Sequence, residues 1–146
     1  MSYSTIETAV AVVLRKHDDF DTTNVVQGSS SAIKKGLARA VRLLYGGHSR
    51  VNLTLLATRY VWTTNIDLYV PWRGSLETLE TTFQTEFQKI IDTIEAWPNL
   101  GGTVGVSHAY LPSASIPEPL KTKNGAYRAQ RLVLETTEDI VVTRSE

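Results

Sequence analysis

The chain has 146 residues, of which 42% are hydrophobic and 21% are charged, a composition typical of one globular domain with a sizeable core. Fifteen basic residues balance fifteen acidic ones, so a general attraction to nucleic acid or to an anionic membrane is not expected. The absence of cysteine excludes disulfides, thiolate catalysis and cysteine-ligated zinc. The N-terminal residues lack the basic and apolar regions of a signal peptide, and no apolar run is long enough to span a membrane.

The first predicted element is a helix over about Thr5 to His17. Ser4 and Glu7 have the spacing of a capping box. The apolar residues that follow recur at the spacing of one helix face: Ile6, Ala9, Val10, Val13 and Leu14. The polar, turn-rich segment from Asp18 to Ser31 is interpreted as a connecting loop that holds a short strand at Val25-Val26.

The segment from Ala32 to Tyr45 has two interpretations. Ser31 is placed to cap a helix there, but Gly36 would cost that helix about 1 kcal/mol relative to alanine. The alternative is a strand from Leu37 to Tyr45, which Gly46-Gly47 would stop. The β-branched and aromatic residues near the end of the segment favour the strand.

The next apolar pattern changes phase in its middle. Val51, Leu53 and Leu55 alternate at odd positions, whereas the apolar residues from Tyr60 on fall at even positions: Tyr60, Trp62, Ile66, Leu68 and Val70. One strand register cannot serve both halves, so a bulge or a turn near Ala57-Thr58 is expected. A hairpin and a bent long strand both satisfy the pattern. Thr63, Asn65 and Asp67 are expected on a solvated face, and Pro71 ends the strand.

A long amphipathic helix follows, with Ser75 as its cap and Pro98 beyond its end. Its apolar stripe, expected in the core, is Leu76, Leu79, Phe83, Phe87, Ile90, Ile91, Ile94 and Trp97. Its opposite face is expected to be solvated and acidic, with Glu77, Glu80, Glu86, Asp92 and Glu95.

The C-terminal third begins with a turn at Leu100-Gly101-Gly102. Alternation at Val104, Val106, His108 and Tyr110 predicts a strand, and another is predicted from Tyr127 to Thr136, with residues 140–142 continuing it or starting an edge strand. The proline-containing segment 111–125 has no periodic stripe and is predicted to be a long, mobile loop. These elements together predict one α+β domain over residues 1–146, with a mainly antiparallel sheet packed against one long helix plus an N-terminal helix.

No catalytic, cofactor-binding or metal-binding motif is found. His17, His48 and His108 lack the spacing of paired ligands, and His108 is expected to be a structural histidine within a strand. The loop from Gly28 to Gly36 lacks the residue order of a phosphate loop, and Asp18-Asp19-Phe20-Asp21 lacks the glycine and glutamate of a calcium loop.

The residues expected at a subunit or partner interface are the exposed cations and the aromatic residue of the strand-to-helix turn, since tryptophan and arginine are typical interface anchors. They are Trp72, Arg73, Arg50, Arg59, Lys121 and Lys123. For Trp72, structural packing within the turn is the alternative.

Several segments together resemble the tail terminator (tail completion) proteins of long-tailed bacteriophages. These are Ala38-Arg-Ala-Val-Arg-Leu-Leu-Tyr45-Gly-Gly, Trp62-Thr-Thr-Asn-Ile66-Asp-Leu68-Tyr-Val70, the helix from Leu76 to Trp97, and Leu100-Gly101-Gly102. The resemblance covers about Thr5 to Val142 and rests on packing and turn patterns in the predicted element order.

The resemblance implies a structural, non-enzymatic virion protein without a cofactor. Proteins of that family form a six-fold ring on the completed tail tube, end its polymerisation and present the surface that joins the head. The implied partners are further copies of the chain, the tail tube protein and the head–tail connector, with DNA passing through the ring without specific binding. The implied location is the tail or neck of the virion, after assembly in the host cytoplasm. An acidic face formed by Glu77, Glu80 and Glu86 would line the channel.

Two alternatives remain open at this point. One is another neck or tail component, either a head-closure protein or a tube protein, because these share short α+β designs. The other is a small ligand-binding domain or enzyme with a site near His108, Asp67 and Tyr110.

Overall fold

In the described part of the chain, a single sheet carries two helices on one face. The computed structural model describes residues 3–28, 37–72, 75–102, 106–122 and 125–141. The helices are α1 (Tyr3–Leu14) and α2 (Leu76–Glu95), and the strands are β1 (Val25–Gln27), β2 (Ala40–Asn52), β3 (Ala57–Pro71), β4 (Val106–Ala114), β5 (Glu118–Thr122) and β6 (Gly125–Val141). The strand order is β1-β2-β3-β6-β4, and β5 pairs with β6 beside β4. Because every pairing except β1 with β2 is antiparallel, the α+β prediction is confirmed.

The core lies between the sheet and both helices. Ile66 of β3 lies opposite Leu132 of β6, and Leu68 and Leu134 share the same face; all four are buried. The buried helix residues that complete this core are Ile6, Val10, Ala11, Val13 and Leu14 of α1 and Leu79, Phe83, Ile90 and Ile94 of α2. The alternation expected around Ile66 is therefore confirmed on this face, which we call the inner face.

The opposite, outer face of the sheet is partly buried as well. Asp67 and Tyr69 are only 7% and 3% exposed, although the alternation predicts a solvated face at Asp67. A second small apolar cluster forms there around Ala40, Tyr69 and Tyr127. The expectation is wrong at this end of the sheet because partly buried apolar side chains cover the outer face, together with Arg131, which pairs with Asp67.

The N-terminal third follows the predictions with shifted boundaries. Helix α1 spans Tyr3–Leu14 instead of Thr5 to His17, and the strand expected at Val25-Val26 is β1. Of the two interpretations of Ala32 to Tyr45, the strand is confirmed from Ala40 to Tyr45, whereas residues 37–39 precede β2. Residues 32–36 lie outside the described residues.

Strand β2 passes through Gly46-Gly47 instead of stopping there. Tyr45 lies opposite Thr64 and His48 lies opposite Trp62, so two residues of β2 face the single Thr63 of β3 in a β-bulge. A Cβ on Gly46 would lie 2.8 Å from Cγ2 of Thr63, and Gly47 has a φ of +102°. Both positions thus favour glycine, one by close approach and one by backbone conformation. The expected stop is wrong because paired glycines also serve a bulge.

A hairpin, not a bent strand, explains the change of phase after Leu55. The amides of Leu53 and Thr54 donate to the carbonyl of Ala57 at 2.9 and 3.2 Å, which closes the turn between β2 and β3. Strand β3 then runs to Pro71, as predicted.

The predicted mobile loop at 111–125 is wrong. Strand β4 continues to Ala114, and β5 (Glu118–Thr122) forms a hairpin with β6. Prolines are tolerated here because β4 and β5 lie at the edge of the sheet, and the register shifts between Tyr110 and Ser113, beside Pro112. Strand β6 extends from Gly125 to Val141, so residues 140 and 141 continue the predicted strand instead of starting an edge strand, and residue 142 lies outside the described residues. Residues 103–105, which include Val104, and 123–124 lie outside the described residues.

Helix α2 begins as predicted, because the side chain of Ser75 accepts a hydrogen bond from the amide of Thr78. The helix ends at Glu95, and Trp97 follows it with 39% of its surface exposed. The expectation that Trp97 lies in the core is wrong. The chain has left the helix before this residue, and its ring stacks under the Lys16 ammonium at 4.3 Å.

The bulge yields a stability prediction. Gly46→Ala should lower the free energy of unfolding by about 1–3 kcal/mol, because the new methyl group overlaps Cγ2 of Thr63. In a Thr63→Ser background, which lacks Cγ2, the same substitution should cost less. Gly47→Ala should also destabilise, but Thr63→Ser should not relieve it, since its cost comes from a φ of +102°. Urea unfolding of the double-mutant cycle measures this, and equal costs in both backgrounds would contradict the steric explanation.

Candidate functional site

A row of aromatic side chains from the inner face of β2 and β3 and from the start of α1 continues the main core, against which Trp62 packs. We call Tyr3, Tyr45, His48, Tyr60 and Trp62 the aromatic row. Tyr3 lies 4.5 Å from Tyr45, His48 lies 4.9 Å from Trp62, and Trp62 stacks on Tyr60 at 5.8 Å, between ring centroids. The bulge produces this alignment, because without it Tyr45 and His48 would lie on opposite faces.

Exposure to solvent differs along the aromatic row: the Tyr3 hydroxyl is buried, whereas Tyr45 is exposed. Burial raises the pKa of the Tyr3 hydroxyl well above its usual value, which keeps that hydroxyl neutral. Tyr45 is 50% exposed, and its hydroxyl pairs with Nδ1 of His48 at 2.5 Å. A preorganised aromatic surface of this kind loses little side-chain entropy on binding, which suits contact with a protein partner.

The turn of the β2–β3 hairpin exposes leucines to solvent. We call residues 53–56 the hairpin tip. Leu55 is 98% exposed, and Leu53 and Leu56 are 45% and 42% exposed. Val51, just before the tip, is also exposed. Contiguous apolar residues at such exposure mark interaction sites, whereas scattered single ones do not.

The predicted interface residues fall at two separate ends of the sheet. Arg50 and Arg59 lie in the β2–β3 hairpin near the tip, whereas Trp72 and Lys121 lie at the other end, where the Trp72 amide donates to the Ala126 carbonyl at 2.9 Å. From Arg59 to Trp72 the strand spans about 43 Å. Arg73 and Lys123 lie outside the described residues. The structure therefore does not bring this set together in one patch.

These residues also differ in whether their side chains are already paired within the subunit. Arg59 forms a bidentate pair with Asp139, at 2.8 and 3.2 Å, and this arginine lowers the pKa of the Asp139 carboxyl. Arg50 is exposed and has no carboxylate within ion-pair distance among the described residues. Trp72 is 41% exposed. Arg50 and Trp72 are therefore better suited than Arg59 to contact a partner.

The acidic face expected on α2 is broken by Glu86. This residue is 4% exposed, and its carboxylate accepts hydrogen bonds from Arg39 at 2.5 and 3.1 Å and from Lys89 at 2.9 Å. Its position explains the burial, because Glu86 follows Phe83 by three residues and precedes Ile90 by four, within the apolar stripe. Glu80 pairs with Arg128 at 2.6 Å, and Glu77 is exposed. The assignment of Glu86 to a solvated face is wrong, so the three glutamates do not form one such surface.

The same carboxylate joins three parts of the chain. Lys89 also bonds Asp19 in the turn after α1, at 2.7 Å, and this bond lowers the pKa of the Asp19 carboxyl. Arg39 lies just before β2. Glu86, Arg39, Lys89 and Asp19 thus tie α2 to the segments that precede β1 and β2.

The alternative site at His108, Asp67 and Tyr110 is not assembled. Tyr110 pairs with Glu135, whereas Asp67 lies opposite Arg131, four residues away along β6 and so about 13 Å distant. His108 lies within a strand, as predicted, but the register shift after Val106 leaves it exposed and stacked on Tyr110 at 5.6 Å.

The remaining sequence candidates have local roles or lie outside the described residues. His17 accepts the Asp19 amide at 3.1 Å, and Asp21 accepts the amides of Thr23 and Asn24 at 2.7 and 3.0 Å. Most of the Gly28 to Gly36 loop is not described. Within the described ranges, no group of three or more histidine or acidic residues is placed to hold a metal ion.

The outer face holds a charged cluster that sequence reasoning missed. Arg42 of β2, Asp67 of β3 and Arg131 of β6 lie directly opposite one another, and Tyr69 neighbours them. A cavity of about 390 Å³ opens over this cluster. These residues come together only through the register of the strands, which no short sequence motif reveals. In the sequence, each of them falls at the alternate strand positions that do not face the core.

No family model and no curated protein sequence matches the chain. None of the helices in the described parts of the chain is long and apolar enough to cross a membrane.

The buried carboxylate gives a matched pair of variants on one helix. Glu86→Gln should lower the free energy of unfolding by about 2 kcal/mol, because Arg39 and Lys89 lose the charge that they share. Glu77→Gln, at an exposed position of α2, should stay within about 0.5 kcal/mol of wild type. Urea unfolding measures both variants. Equal losses would mean that the carboxylate of Glu86 adds nothing beyond a surface charge.

Proposed function

We propose that this protein is a structural virion assembly protein of the tail terminator type. In this role it forms a ring that caps a phage tail tube, ends tail polymerisation and offers the surface to which the head is joined. The observation that carries the proposal is the presence of two different exposed patches at opposite ends of one long sheet. The hairpin tip with Arg50 forms one patch, and Trp72 with Lys121 forms the other.

Two unlike patches are what a cyclic assembly requires. A ring is built from a heterologous interface, in which one surface of each subunit contacts a different surface of the next. The hairpin tip is apolar and projects from the sheet, whereas the Trp72 end presents an aromatic ring and a cation. We propose that the hairpin of one subunit packs on its neighbour, with the aromatic row at the margin of the contact.

The sequence resemblance supports the choice of tail terminator within the class of assembly proteins. It implies the tail tube protein and the head–tail connector as partners, and the virion neck as the location. A net charge of zero suits a ring through which DNA passes without specific binding. The proposal requires no catalytic group and no cofactor.

A tube protein is the second candidate, because the same two patches could also build a stack of rings. The two functions differ in how assembly stops. A terminator forms single rings or binds only at tube ends, whereas a tube subunit polymerises into long cylinders. Negative-stain imaging of the purified protein, alone and with tail tubes of the phage that encodes it, separates the two.

The hairpin tip can be tested without disturbing the core. Leu55→Asp should abolish rings and tube capping while leaving the melting temperature near that of wild type, because Leu55 is 98% exposed. Leu55→Met should assemble normally, since it keeps an apolar side chain. Val12→Glu places a charge at another exposed apolar position, on α1, and should also assemble. Light scattering after size-exclusion chromatography and imaging on tail tubes give the readout.

Two results would count against these ideas. If Leu55→Asp still forms normal rings, the hairpin tip is not part of the interface. That result would not contradict the proposal that the protein forms a ring. A wild-type protein that stays monomeric both alone and in the presence of tail tubes would overturn the ring proposal.

A further inference from the structure

We propose that the outer-face cavity is a binding site for a carboxylate carried on an apolar body, and that Arg42 is the residue that binds it. The site lies on the opposite side of the sheet from the helices and does not depend on ring formation. Its floor is the cross-strand cluster of Arg42, Asp67, Tyr69 and Arg131.

Asp67 forms its ion pair with only one of the two arginines beside it. This carboxylate lies between two arginines, directly opposite Arg42 on one side and Arg131 on the other. Both of its oxygens accept from Arg131, at 2.8 Å from Nε and 3.0 Å from the terminal nitrogen. A bidentate pair of this geometry is the strongest arrangement available to the two groups. Asp67 therefore pairs with Arg131, and its only other side-chain hydrogen bond among the described residues comes from the Tyr69 hydroxyl, which donates to it at 3.4 Å.

Arg42 is left with a weaker partner. Its guanidinium donates to the Tyr69 hydroxyl at 2.8 Å and lies 5.5 Å from the centre of that ring. No carboxylate lies within ion-pair distance of it among the described residues, and its Nε is buried without an acceptor. A half-buried guanidinium without a counter-charge gains from an anion that completes its hydrogen bonds.

The cavity has the size and lining of a site for a small group. Its volume of about 390 Å³ falls in the range of ligand pockets. Beside the polar floor, Ile116, Pro119, Leu120 and Ala129 form an apolar wall, and Ile116 is 81% exposed. An apolar body on the ligand would cover this wall while its charged group reaches Arg42.

The charges around the cavity favour a single carboxylate over a phosphate. Asp67 and Glu118 line the same cavity as Arg42 and Arg131, so the lining has no net positive charge to hold a dianion. A planar monoanion matches the fork of the one guanidinium that lacks an ion-pair partner. Glu118 is exposed at the rim, where its charge opposes any anion that enters.

Two sources present this chemistry: a small organic acid, and the terminal carboxylate of a protein chain that ends in an apolar residue. The probes that separate them are benzoate for the first and an acetylated tetrapeptide ending in leucine for the second. Benzyl alcohol, the amidated peptide and inorganic phosphate are the matched controls, because each lacks the charge or the shape that the site should recognise.

The experiment is a titration of the wild-type protein and two variants, followed by chemical shifts of the backbone amides. Benzoate or the free-acid peptide should shift residues of β2, β3 and β6 that surround the cavity, saturably, whereas the controls should not. Arg42→Lys keeps the charge but loses the fork, and it should weaken binding about tenfold, or about 1.4 kcal/mol. Glu118→Gln removes the opposing charge from an exposed position and should tighten binding about twofold to fivefold.

The two variants shift affinity in opposite directions, so a folding defect cannot imitate both results. Saturation by the peptide alone would assign the site to a protein chain, and saturation by benzoate alone would assign it to a small acid. Equal binding of benzoate and benzyl alcohol, tighter binding of phosphate, or an affinity that neither variant changes would overturn the proposal. So would the absence of saturable shifts with both carboxylates.

Discussion

The mismatch in length between the sheet and its helices governs the rest of this structure. Strand β3 has 15 residues and so spans about 50 Å, whereas the 20 residues of α2 span about 30 Å. Strand β6 pairs with β3 from Ala57 to Pro71, which keeps the whole strand in the sheet. The two helices of the described residues are too short to cover such a sheet along its whole length. They leave the β2–β3 hairpin exposed, including Tyr45 and His48 of the aromatic row, whereas Tyr3 of that row belongs to α1 itself.

The bulge at Gly46-Gly47 decides which side chains occupy that uncovered part. Strand β2 presents odd-numbered residues to the inner face up to Tyr45 and even-numbered residues from His48 on. The change of phase places an aromatic stretch next to Trp62 instead of dividing it between two faces. A local feature of two glycines thus converts the exposed end of a sheet into a surface suited to a protein partner.

The sequence predicts those features that depend on neighbours in the chain. The cap at Ser75, the end of β3 at Pro71 and the alternation around Ile66 are local patterns, and all three are confirmed. The prediction of a loop at 111–125 is wrong because prolines and weak periodicity are also compatible with an edge strand. One side of an edge strand needs no hydrogen-bond partner in the sheet. Glu86 was misassigned because an ion pair with Arg39 offsets its burial, and Arg39 is remote in sequence. The Arg42 cluster had no local signal at all.

The zero net charge of the chain conceals a difference in ion pairing among the described arginines. Arg39, Arg59, Arg128 and Arg131 each hold a carboxylate: Glu86, Asp139, Glu80 and Asp67 respectively. Arg15 instead donates to the backbone carbonyl of Val25. Besides Arg15, two described arginines hold no carboxylate: Arg50 beside the hairpin tip and Arg42 in the outer-face cavity. Since arginine contributes most to binding when its charge is not already satisfied, these two positions are where the molecule can still gain from contact with another. One lies on each proposed binding surface, on opposite faces of the same sheet.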